Sequence, residues 1–315
     1  MAHGTDGTAD PANDTYGARA KDAPASPTAP AAPAHVRRAA VLGSPIAHSL
    51  SPVLHRAAYQ RLGLADWRYD AFEVDEQALP GFLDGLEPAA DGWAGLSLTM
   101  PLKRAVIPLL DSVGEAALAV EAVNTVVFAA DGARHGANTD IPGLVAAFAE
   151  RGIIRVEAAA VLGGGATGAS TMAALASIVD GGVDVYVRSP SRAGKQLIPT
   201  AERLGVDLRL RPWTEVREAL GSPLLVNTTP AGAADELADA VSKPVGTLFD
   251  VLYHPWPTRL AARWAHAGGT VLGGLDLLIH QAALQVEMMT GSDPALRPAV
   301  VAAMRAAGTA ALDER

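Results

Sequence analysis

The sequence predicts an α/β protein made of two open α/β domains. Three observations carry that prediction. Short apolar runs rich in Val and Ala alternate with helical patterns along the chain, as in layered α/β folds. One run, over 158–162, leads directly into Gly163-Gly-Gly165-Ala-Thr-Gly168 and then a second helical pattern. The length, 315 residues, corresponds to two domains that can each bury a core.

Composition narrows the chemistry. With no cysteine, the chain has no disulfide framework, thiolate nucleophile or Cys-ligated metal. The 34 acidic against 25 basic residues give a net charge of −9, whose field repels polyanions and argues against nucleic acid or an anionic membrane as partner. A small anionic substrate would then need a local clamp of donors. No window has the roughly 18 unbroken apolar residues of a membrane span. The start lacks the basic and apolar regions of a secretory signal, so cytoplasmic residence is expected. Residues 1–34 hold 11 Ala and 5 Pro, with Tyr16 the one large apolar side chain after Met1. They bury too little to offset the entropy of ordering, and a disordered tail is expected over 1–36.

In the first segment, strands are expected over 39–43, 68–74, 95–98 and 125–130. The first helix opens with Ser51 as N-cap and Pro52 at N1. It repeats Leu54, Ala58 and Leu62 on one face and ends before Gly63, a C′ glycine. Ser49 and Ser51 therefore sit on a strand-to-helix loop, the edge of an open α/β sheet where ligands bind. The second segment opens with a helix over 143–151 closed by Gly152. Strands follow over 158–163, 183–188, 208–213, 224–229, 246–253 and 270–272, and helices over 275–289 and 294–307.

The glycine loop has the context of a Rossmann-like dinucleotide site: buried strand, tight turn, helix N-terminus. Gly163 permits the turn, Gly165 lets backbone approach a pyrophosphate, and Gly168 lets helix and strand pack closely; Ala166 and Thr167 complete the loop. The next strand ends Val187-Arg188-Ser189-Pro-Ser-Arg192, with no carboxylate at its tip to take the ribose 2′-OH of NAD. Arg188, Ser189 and Arg192 read as a 2′-phosphate clamp, hence NADP. Two solvated loop arginines are the plainer alternative. Asp184 lies too early in the strand to serve the ribose.

Polar residues gather at the turns of the first segment: Ser49, Ser51, Thr99, Lys103, Asn124, Asn138 and Asp140. Pro101 opens a helical turn with Lys103 two residues in, where the macrodipole disfavours the ammonium. A carboxylate would oppose that, and Asp140 is the candidate. Each residue also has a plain structural reading as helix cap, turn former or surface charge.

Together these motifs resemble the shikimate dehydrogenase family, over most of residues 38–290 and in the family's motif order. Gly43-Ser-Pro-Ile-Ala-His-Ser49-Leu-Ser51-Pro resembles its opening motif, whose serines bind the substrate carboxylate. Ser97-Leu-Thr99-Met-Pro101-Leu-Lys103 resembles N-V-T-x-P-x-K, with its catalytic lysine. Asn124 matches the asparagine on the substrate hydroxyls, and Asp140 the aspartate paired with the lysine. Asn227-Thr228-Thr-Pro-Ala-Gly232 resembles the loop beside the nicotinamide, and Asp250-Val-Leu-Tyr253 the motif whose tyrosine reaches substrate. Gly274-Leu-Asp-Leu-Leu-Ile-His-Gln281 resembles the final motif, whose glutamine touches substrate. Three departures stand out: Ser97 for the motif's Asn, Ala166 for a common second Gly, and Val187 for the Asn of the arginine clamp.

The resemblance implies NADP-dependent, reversible reduction of 3-dehydroshikimate to shikimate. Lys103 and Asp140 would be catalytic; Ser49, Ser51, Thr99, Asn124, Tyr253 and Gln281 would bind substrate. Gly163, Gly165, Ala166, Thr167, Gly168, Arg188, Ser189, Arg192, Thr228 and Gly274 would bind cofactor, with no metal. The implied division is a substrate-binding domain over 37–142, an NADP-binding domain over 143–272, and helices over 273–315 returning to the first domain. A monomer or homodimer is expected. A quinate/shikimate dehydrogenase using NAD and a non-catalytic nucleotide-sensing homologue are the alternatives.

Overall fold

The computed structural model describes residues 36–315; the tail expected over 1–36 lies outside the described residues apart from Val36. Two six-stranded sheets form the framework. The first contains β1 (Arg37–Gly43), β2 (Trp67–Glu73), β3 (Trp93–Leu98), β4 (Ser112–Val113), β5 (Thr125–Phe128) and β6 (Arg134–Ala137), in the order β2-β1-β3-β5-β6-β4. β1 runs parallel to β2 and β3, while β3–β5 and β5–β6 are antiparallel. β3 is buried at every position, as expected of a central strand covered on both faces.

The second sheet contains β7 (Ala159–Leu162), β8 (Val183–Val187), β9 (Leu208–Pro212), β10 (Leu224–Asn227), β11 (Thr247–Asp250) and β12 (Thr270–Gly273). All its pairings are parallel, in the order β12-β11-β10-β7-β8-β9. The chain winds one way from β7 to β9 and the other way from β10 to β12. That reversal opens a crevice at the carboxyl ends of β7 and β10, the Rossmann arrangement.

The last two helices, Gly274–Thr290 and Arg297–Asp313, return to the first sheet, where Ile279, Ala282, Val286, Val300 and Met304 share a core with Ala39 and Val41. On the same helix Leu277 joins the other core, with Leu144, Phe148 and Phe249. One helix thus carries residues into both cores, which fixes what lies between them.

Several expectations are corrected. Ser51 does not cap the first helix: it is the first residue of Ser51–Leu62, Leu50 holds the cap position, and no side chain makes a cap bond. Gly63 does close that helix, with φ +70°. The helix expected from 143 begins three residues earlier, as Asp140–Glu150, because Asn138 Oδ1 accepts from Ile141 N at 3.1 Å and serves its first turn. Asp140 is therefore inside the helix and free of a capping duty. β4 and β6 were not expected.

Candidate active site

A cleft of about 280 Å³ opens between the two sheets. Its walls bring together every residue expected to be catalytic or substrate-binding: Lys103 and Asp140, Ser49, Ser51, Thr99, Asn124, Tyr253 and Gln281. Thr167 and Gly274, from the glycine-loop helix and the final motif, face the same cleft. Residues from seven separate stretches of sequence thus meet in one place.

Lys103 occupies a helix of only four residues, Leu102–Ala105, directly after β3. So short a helix has a weak dipole, and the dominant charge beside the ammonium is Asp140. Lys103 Nζ donates to Asp140 Oδ2 at 2.5 Å, with side chains 16% and 7% exposed. Asp140 Oδ1 accepts from Asn124 Nδ2 at 2.8 Å. Thr139 N, which can only donate, lies 2.8 Å from Asn124 Oδ1 and so fixes which end of that amide faces Asp140. Gln281 Oε1 is 3.3 Å from Asn124 Nδ2. It comes this close because Gly143 has no side chain: a Cβ there would sit 2.9 Å from Gln281 N. Asn138 lies outside the cleft lining and instead donates to Ala122 O at 2.9 Å and Ser170 Oγ at 3.1 Å.

The Ser49–Ser51 turn forms the other end of the cleft. Ser49 Oγ accepts from Ser51 N at 3.3 Å, leaving its proton for a ligand. Ser51 is buried, lines the cleft, and has no capping role. Burial pushes the Tyr253 phenol above its ordinary pKa, so it meets a ligand as a neutral donor.

The glycine loop fits a dinucleotide. Gly163 has φ +101°, and a Cβ on Gly168 would lie 2.6 Å from Gly163 O, so neither position accepts a side chain without movement. Beside Gly165 there is open space, on the side from which a pyrophosphate would approach the start of the Ala166–Leu175 helix. Thr228 Oγ1 donates to Leu162 O at 2.7 Å, tying the strand-end loop after β10 to the end of β7. Arg188, just past the tip of β8, and Arg192, in the first turn of the helix that follows, are exposed, and neither has an ion-pair partner among the described residues. Ser189 takes the cap position of the following helix, Pro190–Leu204, through its backbone and without a side-chain cap bond. Asp184, the second residue of β8, is engaged by Arg209 and Arg211 on β9, at 3.0 and 3.1 Å.

The sequence matches the profile described as shikimate dehydrogenase substrate binding domain over residues 41–126, and that of the shikimate 5′-dehydrogenase C-terminal domain over residues 274–307. The shikimate dehydrogenase (NADP(+)) of Thermus thermophilus is 38% identical over 277 residues, covering 86% of this chain and 99% of the relative. The chain belongs to the shikimate dehydrogenase family. Two solved structures extend the likeness to three dimensions. Mycobacterium tuberculosis shikimate dehydrogenase superposes with TM-score 0.76 at 38% identity, covering 86% of this chain and 99% of that one. Shikimate 5-dehydrogenase from Thermus thermophilus, in complex with NADP(H) and shikimate, does so with TM-score 0.71 at 36% identity and the same coverage.

Within this shikimate dehydrogenase fold, the cleft also holds Gln285, which the sequence reading passed over. Its signal was present: it lies four residues after Gln281, on the same helical face. Asp250 was noted only as part of a motif. It is fully buried and accepts from Thr258 Oγ1 at 2.7 Å, Asn227 Nδ2 at 3.1 Å and Leu252 N at 3.2 Å, joining the loops after β10 and β11. Burial raises its pKa against those three donors.

Proposed function

We infer that the chain catalyses the NADP-dependent, reversible reduction of 3-dehydroshikimate to shikimate, a step of aromatic amino-acid biosynthesis. The observation that carries this reading is the Lys103–Asp140 pair, 2.5 Å apart in a cleft that also receives Thr167 from the glycine-loop helix. A proton-transfer group and a dinucleotide loop facing one cleft are what carbonyl reduction requires.

NADPH, when bound, supplies the hydride equivalent that reduces the ketone. Gly163, Gly165, Ala166, Thr167 and Gly168 would hold its pyrophosphate, and Arg188, Ser189 and Arg192 its 2′-phosphate. Thr228 and Gly274 would flank the nicotinamide. Ser49 and Ser51 offer hydroxyl donors to the substrate carboxylate; Thr99, Asn124, Tyr253 and Gln281 orient the ring. As negative charge grows on the carbonyl oxygen, Lys103 donates a proton to it, and in the oxidative direction the neutral amine takes that proton back. Asp140 holds the ammonium in place, and its other oxygen is occupied by Asn124. The absence of a carboxylate at the tip of β8, together with Arg188 and Arg192 just beyond it, which have no ion-pair partner among the described residues, supports NADP over NAD.

The same reading divides the chain into a substrate-binding domain over 37–142, an NADP-binding domain over 143–272 and returning helices over 273–315. The sheets support it, one ending at Ala137 and the other starting at Ala159. A cytoplasmic monomer or homodimer accords with the acidic composition and with the finding that no helix among the described residues is long and apolar enough to cross a membrane.

Crossing shikimate and quinate with NADP and NAD in one absorbance assay tests the reading. Shikimate with NADP is expected to give the highest kcat/KM. A quinate–NAD optimum, or no turnover with any pair, would overturn it.

A further inference from the structure

The two ends of the Gln285 side-chain amide can be told apart from their partners. Gln285 is 1% exposed, and one end of its amide lies 3.1 Å from the carbonyl oxygen of Asn124. A carbonyl only accepts, so that end is Nε2 and the other is Oε1. Oε1 must then accept from Ser97 Oγ, 2.8 Å away, which commits the single Ser97 proton. Ser97 in turn accepts from the Tyr69 hydroxyl at 2.6 Å. On the other side, Gln285 Nε2 donates to Thr125 Oγ1 at 3.0 Å; Thr125 Oγ1 has Asn124 Oδ1 at 2.9 Å and Thr139 Oγ1 at 3.2 Å, and donates along the shorter contact, to Asn124 Oδ1. Asn124 Nδ2 completes the run by donating to Asp140 Oδ1 at 2.8 Å.

Every link points the same way, from Tyr69 through Ser97, Gln285, Thr125 and Asn124 to the carboxylate that holds Lys103. We propose that Gln285 is a positioning residue of the reaction, fixing the direction of this buried hydrogen-bond chain and holding the Asn124 main chain so that its side-chain N–H stays on Asp140. Thr139 N determines which end of the Asn124 amide is the oxygen; Gln285 determines where that amide stands. Donors aligned in one direction polarise one another, and in a buried site an unmade link costs the desolvation of its polar group. The chain depends on residue 97 being small: Ser97, where the family motif has Asn, offers one hydroxyl that accepts from β2 and donates to the Gly274–Thr290 helix.

The proposal rests on the dehydrogenase reading, and its test separates the two. The parent chain is assayed first with shikimate and NADP; without turnover both fall together. With turnover, Gln285→Leu is expected to lower kcat about tenfold, the effect of a lost buried hydrogen bond, while KM for NADP stays within about twofold. In a Lys103→Ala background the same change is expected to cost less than about twofold, because it acts through that pair.

Gln285→Glu supplies a second readout. A neutral carboxyl has one proton to the amide's two, so it can keep the bond to Asn124 O while the link to Thr125 Oγ1 lapses, whereas a carboxylate sets charge against both acceptors, and burial among acceptors raises its pKa. The titratable and charged groups facing the position are Tyr69 on β2, His55 stacked on Tyr69, and Asp140 with Lys103 beyond Asn124. Relative to the parent at each pH, Gln285→Glu is expected to keep about half of the activity at acidic pH, where one of the two donated bonds survives, and at most about a tenth of it at alkaline pH. Gln285→Leu, if folded, is expected to be low at both. Melting temperature and NADP affinity count the folded fraction, so a poorly folding leucine variant leaves the glutamate profile to decide. A shikimate KM effect with unchanged kcat, an additive loss in the Lys103→Ala background, or a glutamate variant that follows the parent's pH dependence would each overturn the proposal.

Discussion

Lys103 Nζ and Asp140 Oδ2 are 2.5 Å apart although 37 positions separate the residues and each lies at the start of a different helix. The pair is nearly closed to solvent, and the second carboxylate oxygen is taken by Asn124. Positioned acid–base groups contribute roughly 10² to 10⁴ in rate, so Lys103→Ala is expected to lower kcat at least about 100-fold with NADP binding near normal. Asp140→Asn is expected to slow turnover too, and the double variant to be little worse than Lys103→Ala alone. Steady-state kinetics check this. A kcat within a few-fold of the parent, with only the shikimate KM raised, would make Lys103 an anion clamp.

Arg188, just past β8, and Arg192, in the first turn of the next helix, have no ion-pair partner among the described residues, so their charge is available to a ligand. Replacing both with neutral residues removes charge-assisted bonds worth roughly 1.5 to 3 kcal/mol each. The NADP KM is expected to rise steeply and that for NAD to change little. Comparable weakening toward both cofactors would assign the arginines to the fold.

Ser51 faces the cleft and has no capping bond. Ser51→Ala is therefore expected to raise the shikimate KM by about one to two decades, as for a lost bond to a charged group. Thermal denaturation is expected to show less than the ~1 kcal/mol that loss of an N-cap costs. A destabilised variant with normal shikimate binding would contradict the assignment.

His55 is fully buried, with its ring stacked 3.8 Å from that of Tyr69 and Nδ1 donating to Ser51 O at 2.9 Å. Burial pulls its pKa down from 6.5 to about 4. The unfolded chain therefore binds a proton that the folded chain refuses between those values. Stability from this group is complete above pH 6.5 and is lost as pH falls toward 4, by up to about 3 kcal/mol. Denaturant melts across that window are expected to show the parent weakening with acid and His55→Leu, though less stable overall, with a shallower slope. Equal slopes would show that carboxylates alone govern the acid limb.

The legible parts of the fold share a physical cause. Central strands of the parallel sheet are buried on both faces, so β7 and β10 read as near-continuous apolar runs and β8 as one broken by Asp184, and all three are expected within a residue or two of where they lie. β6 is Arg134-His-Gly-Ala, with no apolar alternation; its strand conformation comes from pairing with β5, Val126 opposite Gly136. A local cue did exist in Asp131-Gly132, a hairpin dipeptide with Gly132 at φ +88°. β4 has two residues and exists only as a partner of β6.

The sequence by itself determined the chemistry available: a glycine loop between strand and helix, a lysine after a proline turn, paired serines, and no cysteine or carboxylate where either would change the reading. These are local, because a turn, a cap or a strand end is set by neighbours in the chain. Only the tertiary structure decided which polar groups meet. The crossing of two helices at Gly143 brings Gln281 to Asn124, and the return of the Gly274–Thr290 helix to the first sheet delivers Gln285 to Ser97, 188 positions away. Packing of two cores against one helix sets those distances, and no local pattern encodes them.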